Sequence, residues 1–187
     1  YLKVVFKAQE EVFPYIKDIQ YHLDYGWVSL KHGKMSSRTG QVVLGEWLLE
    51  EVKQKISEVM KDSELKDKEE VLEKIAVAAV KYAMLKIGVR QDMAFDINES
   101  VSLTGDSGPY LLYIVARINS ILKKSKVESK KLKVLPENIE SSEKKLLLHL
   151  ASFSEVIKTS AKELDPSKIA RYLFDLAQMF NSFYENC

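Results

Sequence analysis

The chain has 187 residues, 46% of them apolar, with 28 Lys+Arg against 27 Asp+Glu for a formal charge of +1. That length carries one ordinary domain or two small ones around a real core, and the balance excludes a disordered chain, a globally basic nucleic-acid coat and an acidic tail. With apolar runs too short to span a membrane, no signal-peptide pattern and one cysteine (Cys187), it reads as a soluble protein of a reducing compartment, without a disulfide or a cysteine-based metal site.

Taken in chain order, Tyr1 to Phe6 already reads as part of a folded element, and Tyr1 stands where a gene product would begin with Met. Both features point to a section of something longer. Gly26, Gly33, Gly40 and Gly45 crowd the first quarter, whereas residues 46–104 contain only Gly88 and no proline. Glycine serves tight turns, and both residue types are costly inside helices, so a turn-rich, strand-like head precedes a helical body. In the head, Tyr21 to Leu30 partly alternates, the glycine-flanked loop 31–40 follows, and Gln41 to Leu44 is β-prone. This predicts a hairpin-like unit.

From Glu46 the period changes. Leu48, Val52, Ile56 and Val59 share one helical face. Leu72, Ile75, Ala79, Ala83 and Ile87 form a second stripe, with Asp67 and Glu70 spaced like a capping box. Residues 88–106 read as irregular and end in a turn before Pro109, which suits the first turn of a helix. Leu111, Ile114, Val115, Ile118 and Ile121 carry that helix's apolar face. A further helix holds Leu146, Leu150, Phe153 and Ile157. The last has Asp165 as N-cap, Pro166 at its first position, and the stripe Ile169, Leu173, Leu176, Phe180 and Phe183. Five amphipathic, short-linked helices make a bundle.

Two local signals stand apart from the core. Gly33 to Gly40 packs two cations and three hydroxyls between glycines. A polyphosphate needs this combination of point charges, small donors and approachable backbone, although a solvated hairpin tip has the same composition. In the Pro109 helix, Tyr110, Tyr113 and Arg117 fall within about 60° of one another, off the core stripe. Two phenol rings and a guanidinium on one flank suit splayed-out RNA bases, and equally a packing cluster at a helix seam. Six lysines between Lys123 and Lys133 could attract phosphates, or form a solvated loop. His22, His32 and His149 show no metal-ligand spacing.

These segments resemble the arginyl group of class I aminoacyl-tRNA synthetases. Lys34-Met-Ser-Ser-Arg-Thr-Gly40 is similar to the KMSKS signature loop in its Met-Ser-Thr-Arg-x-Gly form, and His22-Leu-Asp-Tyr-Gly26 to the segment preceding it. Phe95 to Ile118 resembles the family's Phe-Asp-Trp-Asp…Gly-Asn-Thr-Gly-Pro-Tyr stretch, and Ala170 to Tyr184 the helix closing on Phe-Asn-x-Phe-Tyr. Four segments match in order.

The resemblance implies a mainly α fold: an anticodon-binding helical bundle preceded by a small strand and loop remnant of a Rossmann-type catalytic domain. Residues 1–45 would be that remnant, 46–104 connecting helices, and 105–187 a truncated anticodon-binding domain. It implies an ATP-dependent arginine–tRNA ligase, cytoplasmic and monomeric, with ATP (Mg2+ as its counterion), arginine and arginine tRNA as partners. Lys34, Met35, Ser36, Ser37 and Arg38 would hold the ATP phosphates, with Lys34 and Arg38 as the catalytic cations. Ser37 replaces the second signature lysine, so the cation one position on must act. Tyr110, Tyr113 and Arg117 would contact the anticodon loop. No His-Ile-Gly-His-type motif is present, so the piece alone is expected to make no adenylate. The alternative is a stand-alone RNA-binding module descended from a synthetase; a helical scaffold for a protein partner is a third reading.

Overall fold

A computed structural model describes residues 1–31, 44–61, 67–125 and 139–186. The signature loop residues Lys34, Met35, Ser36, Ser37 and Arg38, and Lys126 to Lys133 of the lysine cluster, lie outside the described residues.

The chain opens with helix α1 (Leu2–Val12), a single 3-10 turn (Pro14–Ile16) and a short strand β1 (Val28–Leu30). The strand-like head therefore needs correction, because its first element is helical. The loop and second arm of the expected hairpin, residues 32–43, lie outside the described residues. β1 pairs in parallel with β2 (Met93–Phe95), in the register Val28 to Met93, Ser29 to Ala94 and Leu30 to Phe95. Parallel strands require a long crossover, and strand alternation says nothing about where a partner lies. Residues 88–106, expected to be irregular, thus supply a strand and the one-turn helix α4 (Ile97–Ser100). Asp96 caps α4 by accepting the Glu99 N–H at 3.1 Å.

Helices α2 (Gly45–Val59) and α3 (Lys68–Leu85) pack face to face. Of the predicted stripe, Leu48, Val52 and Ile56 are buried and meet Leu72, Ala76, Ala79 and Ala83 across the seam, with Phe95 and Val101 closing the end, whereas Val59 is exposed. Each large aliphatic side chain so buried contributes roughly 1.5–3 kcal/mol relative to exposure. The alanines let α3 approach its neighbours closely. The expected capping box at Asp67 does not form. Asp67 is left-handed (φ 54) without a side-chain cap, and Glu70 pairs with Lys74 at 2.5 Å.

Helix α5 (Gly108–Ser125) starts on α3. A Cβ at Gly108 would collide with the backbone of Ala78, so only glycine allows this approach. Ser107 serves as N-cap, its Oγ accepting the Tyr110 N–H at 3.2 Å.

The expected single helix through Leu146 and Ile157 is two, α6 (Ser141–Ala151) and α7 (Phe153–Glu163). They break at Ser152, whose hydroxyl donates back to the His149 carbonyl at 2.8 Å, a bond that competes with the helical ladder. Helix α8 (Ser167–Asn186) begins as expected, with Asp165 Oδ1 accepting the Ser167 N–H at 3.1 Å. α8 packs against α5, α6 and α7, and a second core of Tyr110, Ile114 and Ala177 fills the α5–α8 seam. Among the described residues no helix is long and apolar enough to cross a membrane.

Candidate nucleic-acid interface

The site grows from the outer half of the α5–α8 seam. Ser107 and Pro109 fix where α5 begins, and the Asp165 cap fixes where α8 begins, so the residues midway along each helix meet in a set register. Arg117 reaches across it. Its Nη1 donates to Oδ1 of Asn181 on α8, and its Nη2 donates to the hydroxyl of Tyr113 one turn earlier on α5. The guanidinium carbon lies 4.6 Å from the Tyr113 ring centre and 5.2 Å from that of Tyr184. A cation held against two ring faces is favoured by their quadrupoles.

Tyr113 and Tyr184 are 43% and 48% exposed, so both rings offer stacking area to an incoming group. Tyr184 also stacks on Phe180, with centroids 6.3 Å apart and planes inclined by 15°. Asn181 is held in turn by Glu185, to which its Nδ2 donates at 2.7 Å. The result is a platform of two rings and a planar cation whose orientation is fixed before anything binds.

Tyr110 is not part of that exposed flank. It is 9% exposed, and its ring meets Phe174 edge to face at 5.9 Å. Burial raises its phenol above the ordinary value, with the nearby Arg117 charge opposing the shift. Helical spacing sets Tyr110 on the same flank of α5 as Arg117, but α8 covers the first turns of that flank and leaves only the later ones open. Conversely, Tyr184 and Asn181 were visible only as letters of the Phe-Asn-x-Phe-Tyr motif. No periodicity linked them to Arg117.

Beside Tyr113 the surface dips into a groove of about 420 Å3 between α2, α3 and α5, lined by Val59, Ile75, Leu103 and Leu112 among others. Apart from Lys74 and the Tyr113 hydroxyl its lining is apolar. Base edges would find few partners there.

Residues 111–187 match the DALR anticodon binding domain. The chain is 38% identical over 198 residues to the arginine–tRNA ligase of Treponema denticola, an alignment covering all of this chain and 33% of that protein. It is 40% identical over 166 residues to that of Clostridium acetobutylicum, covering 87% of this chain and 29% of the relative. The fold matches Thermus thermophilus arginyl-tRNA synthetase with a TM-score of 0.74 at 33% identity, over 86% of this chain and 26% of that one. The Plasmodium falciparum arginyl-tRNA synthetase matches at 0.66 and 26% identity, over 87% and 28%.

The chain is thus similar along its length to arginine–tRNA ligases, and its residues 111–187 are similar to the DALR anticodon binding domain. It spans about a third of the length of the curated relatives it matches. Within the anticodon binding domain, α5 and α8 supply the whole platform, and α6 and α7 brace α8 from the other side. His149 of α6 stacks on Tyr172 of α8 with centroids 4.3 Å apart, and the Tyr172 hydroxyl donates to the His149 carbonyl at 3.1 Å.

Proposed function

We propose that this chain is the anticodon-recognising and signature-loop portion of an arginine–tRNA ligase, which activates arginine with ATP and transfers it to arginine tRNA. The observation that carries the reading is the Arg117 stack between Tyr113 and Tyr184. Exposed rings and a pre-oriented guanidinium are what unstacked loop bases require, and each base stack is worth roughly 1–3 kcal/mol. The near-zero net charge agrees with recognition through a local surface in place of a broad electrostatic coat. Tyr113, Arg117 and Tyr184 make the contacts; Tyr110 supports them from beneath.

The ATP role rests on the Lys34 to Arg38 signature and on the homologues. Lys34 and Arg38 are the cations that would offset charge developing on the phosphates, with Ser36 and Ser37 as small donors and Mg2+ as the nucleotide's counterion. The piece acts within a longer, cytoplasmic, monomeric polypeptide.

The test is arginine-dependent ATP–pyrophosphate exchange and arginine charging by the full-length protein with tRNA present, alongside titration of arginine tRNA against wild type and Tyr113→Ala. Exchange, charging and about tenfold weaker binding by the variant are expected. Binding without exchange or charging would instead make it a stand-alone RNA-binding module.

A further inference from the structure

Arg117 and Asn181 sit on different helices, so the platform depends on how α5 is placed against α8. At the end where both helices begin, one buried residue bonds to the turn that opens α5 and to the first turn of α8. Tyr82, in the last third of α3, is 8% exposed. Its hydroxyl donates to Oδ1 of Asp106 at 2.5 Å, in the turn that opens α5, and lies 3.2 Å from the carbonyl oxygen of Ala170 in the first turn of α8. A single phenolic proton is thus placed between two acceptors on two elements.

The neighbourhood fixes both sides of this junction. Lys86, at the C-cap of α3, donates to the Asp106 carbonyl at 2.8 Å and pairs with Glu99 at 2.9 Å. Gly108 lies directly on the Ala78 backbone. Burial, reinforced by the Asp106 carboxylate, pushes the Tyr82 phenol far above its ordinary value, so the hydroxyl remains a donor at any working pH. A buried hydroxyl with no partner would be costly, and these two acceptors are what satisfy it.

We propose that Tyr82 is a positioning residue for RNA binding: its hydroxyl sets α8 against the start of α5 and so holds Arg117 between Tyr113 and Tyr184. The inference rests on the anticodon reading above. Tyr82 touches none of the platform residues. Its effect on RNA passes through the helix placement alone, and the Arg117 contacts are the part of the surface that crosses the seam.

The experiment is a double-mutant cycle read as the Kd for an arginine tRNA transcript, using the full-length protein. Tyr82→Phe should bind about five-fold more weakly, the worth of one net hydrogen bond. In an Arg117→Ala background the same change should add no further loss, because the element it positions is already gone. Asp106→Asn, which keeps an acceptor, should bind like wild type, whereas Asp106→Leu should behave like Tyr82→Phe. Unchanged binding by Tyr82→Phe would overturn the inference, as would a loss that persists undiminished in the Arg117→Ala background, since that would mean general loosening of the fold. If Arg117→Ala itself binds as wild type, it is the anticodon reading that fails, and the positioning role falls with it.

Discussion

The Arg117 guanidinium carbon stands 4.6 Å from the centre of the Tyr113 ring, one turn earlier on the same helix, and Nη2 donates to that tyrosine's hydroxyl. Arginine is specifically required here, because a lysine has no planar fork that can lie flat against a ring while its separate nitrogens donate to Asn181 and Tyr113. Arg117→Lys should therefore weaken tRNA binding about tenfold while leaving the salt dependence of binding nearly unchanged, since the charge remains. Arg117→Ala should lower both the affinity and the salt slope. Titrations at two ionic strengths separate the cases; equal salt slopes for the two variants would remove Arg117 from the contact surface.

Glycine at the start of a helix is usually replaceable. Gly→Ala inside a helix normally gains up to about 1 kcal/mol in propensity. At Gly108 the new methyl would run into the Ala78 backbone, which cannot turn aside as a flexible side chain would. Overpacking of this kind costs about 1–3 kcal/mol, so Gly108→Ala should be destabilising on balance. Urea unfolding measures it, and a stabilised variant would refute the close contact between α5 and α3.

Asp96 links the strand stem to α4. Lys31 pairs with its Oδ2 at 2.8 Å, and the Glu99 N–H donates to Oδ1; the Lys31 bond first and then that cap hold its carboxyl below the usual 3.8. A depressed folded value means the contribution is present above about pH 4 and disappears as pH falls through the folded value. Asp96→Asn keeps the cap and removes the charge. It should be less stable than wild type near about pH 6, and the gap should close as pH falls through the lowered folded value of the carboxyl. Urea midpoints across that range give the answer, and a gap that stays constant with pH would count against the pair.

Tyr82 gives the opposite signature at the alkaline end. Its phenol is raised above the ordinary 10.0. The folded chain keeps a proton that the unfolded chain releases, so stability should decline as pH rises beyond about 10. Tyr82→Phe should show a shallower decline than wild type. Some slope should persist, because Tyr110 and Tyr172 are also raised by burial. Unfolding midpoints at mild and high pH test this, and parallel curves for the two proteins would sink it.

Much of the helical body was legible because it is locally encoded. Leu48, Val52 and Ile56 of the α2 stripe are buried as their spacing required, although Val59 at its end is exposed, and the Asp165-Pro166 start of α8 and the turn before α5 formed where turn chemistry put them. Ser152 was harder to read: its back-bond divides one apolar stripe between two helices. At the site, the sequence marked Tyr113 and Arg117 and put Tyr110 with them, while Tyr184 and Asn181 drew attention only as part of a family motif. Tyr82 carried no signal at all, since a tyrosine on an alanine-rich helix looks like any other core ring.

The charge-neutral composition with its uneven glycines and the periodicities determined a largely helical chain with a turn-rich beginning, and the ordered motifs carried its resemblance to the arginine–tRNA ligases. Periodicity reports which face of an element is apolar, because backbone geometry repeats every few residues. It is silent on which element covers that face. Only the tertiary structure decided that β1 pairs with β2, that α8 buries Tyr110 and leaves Tyr113 open, and that Arg117 finds Asn181 and Tyr184. Those contacts join residues remote in sequence, and they exist only once the helices have packed.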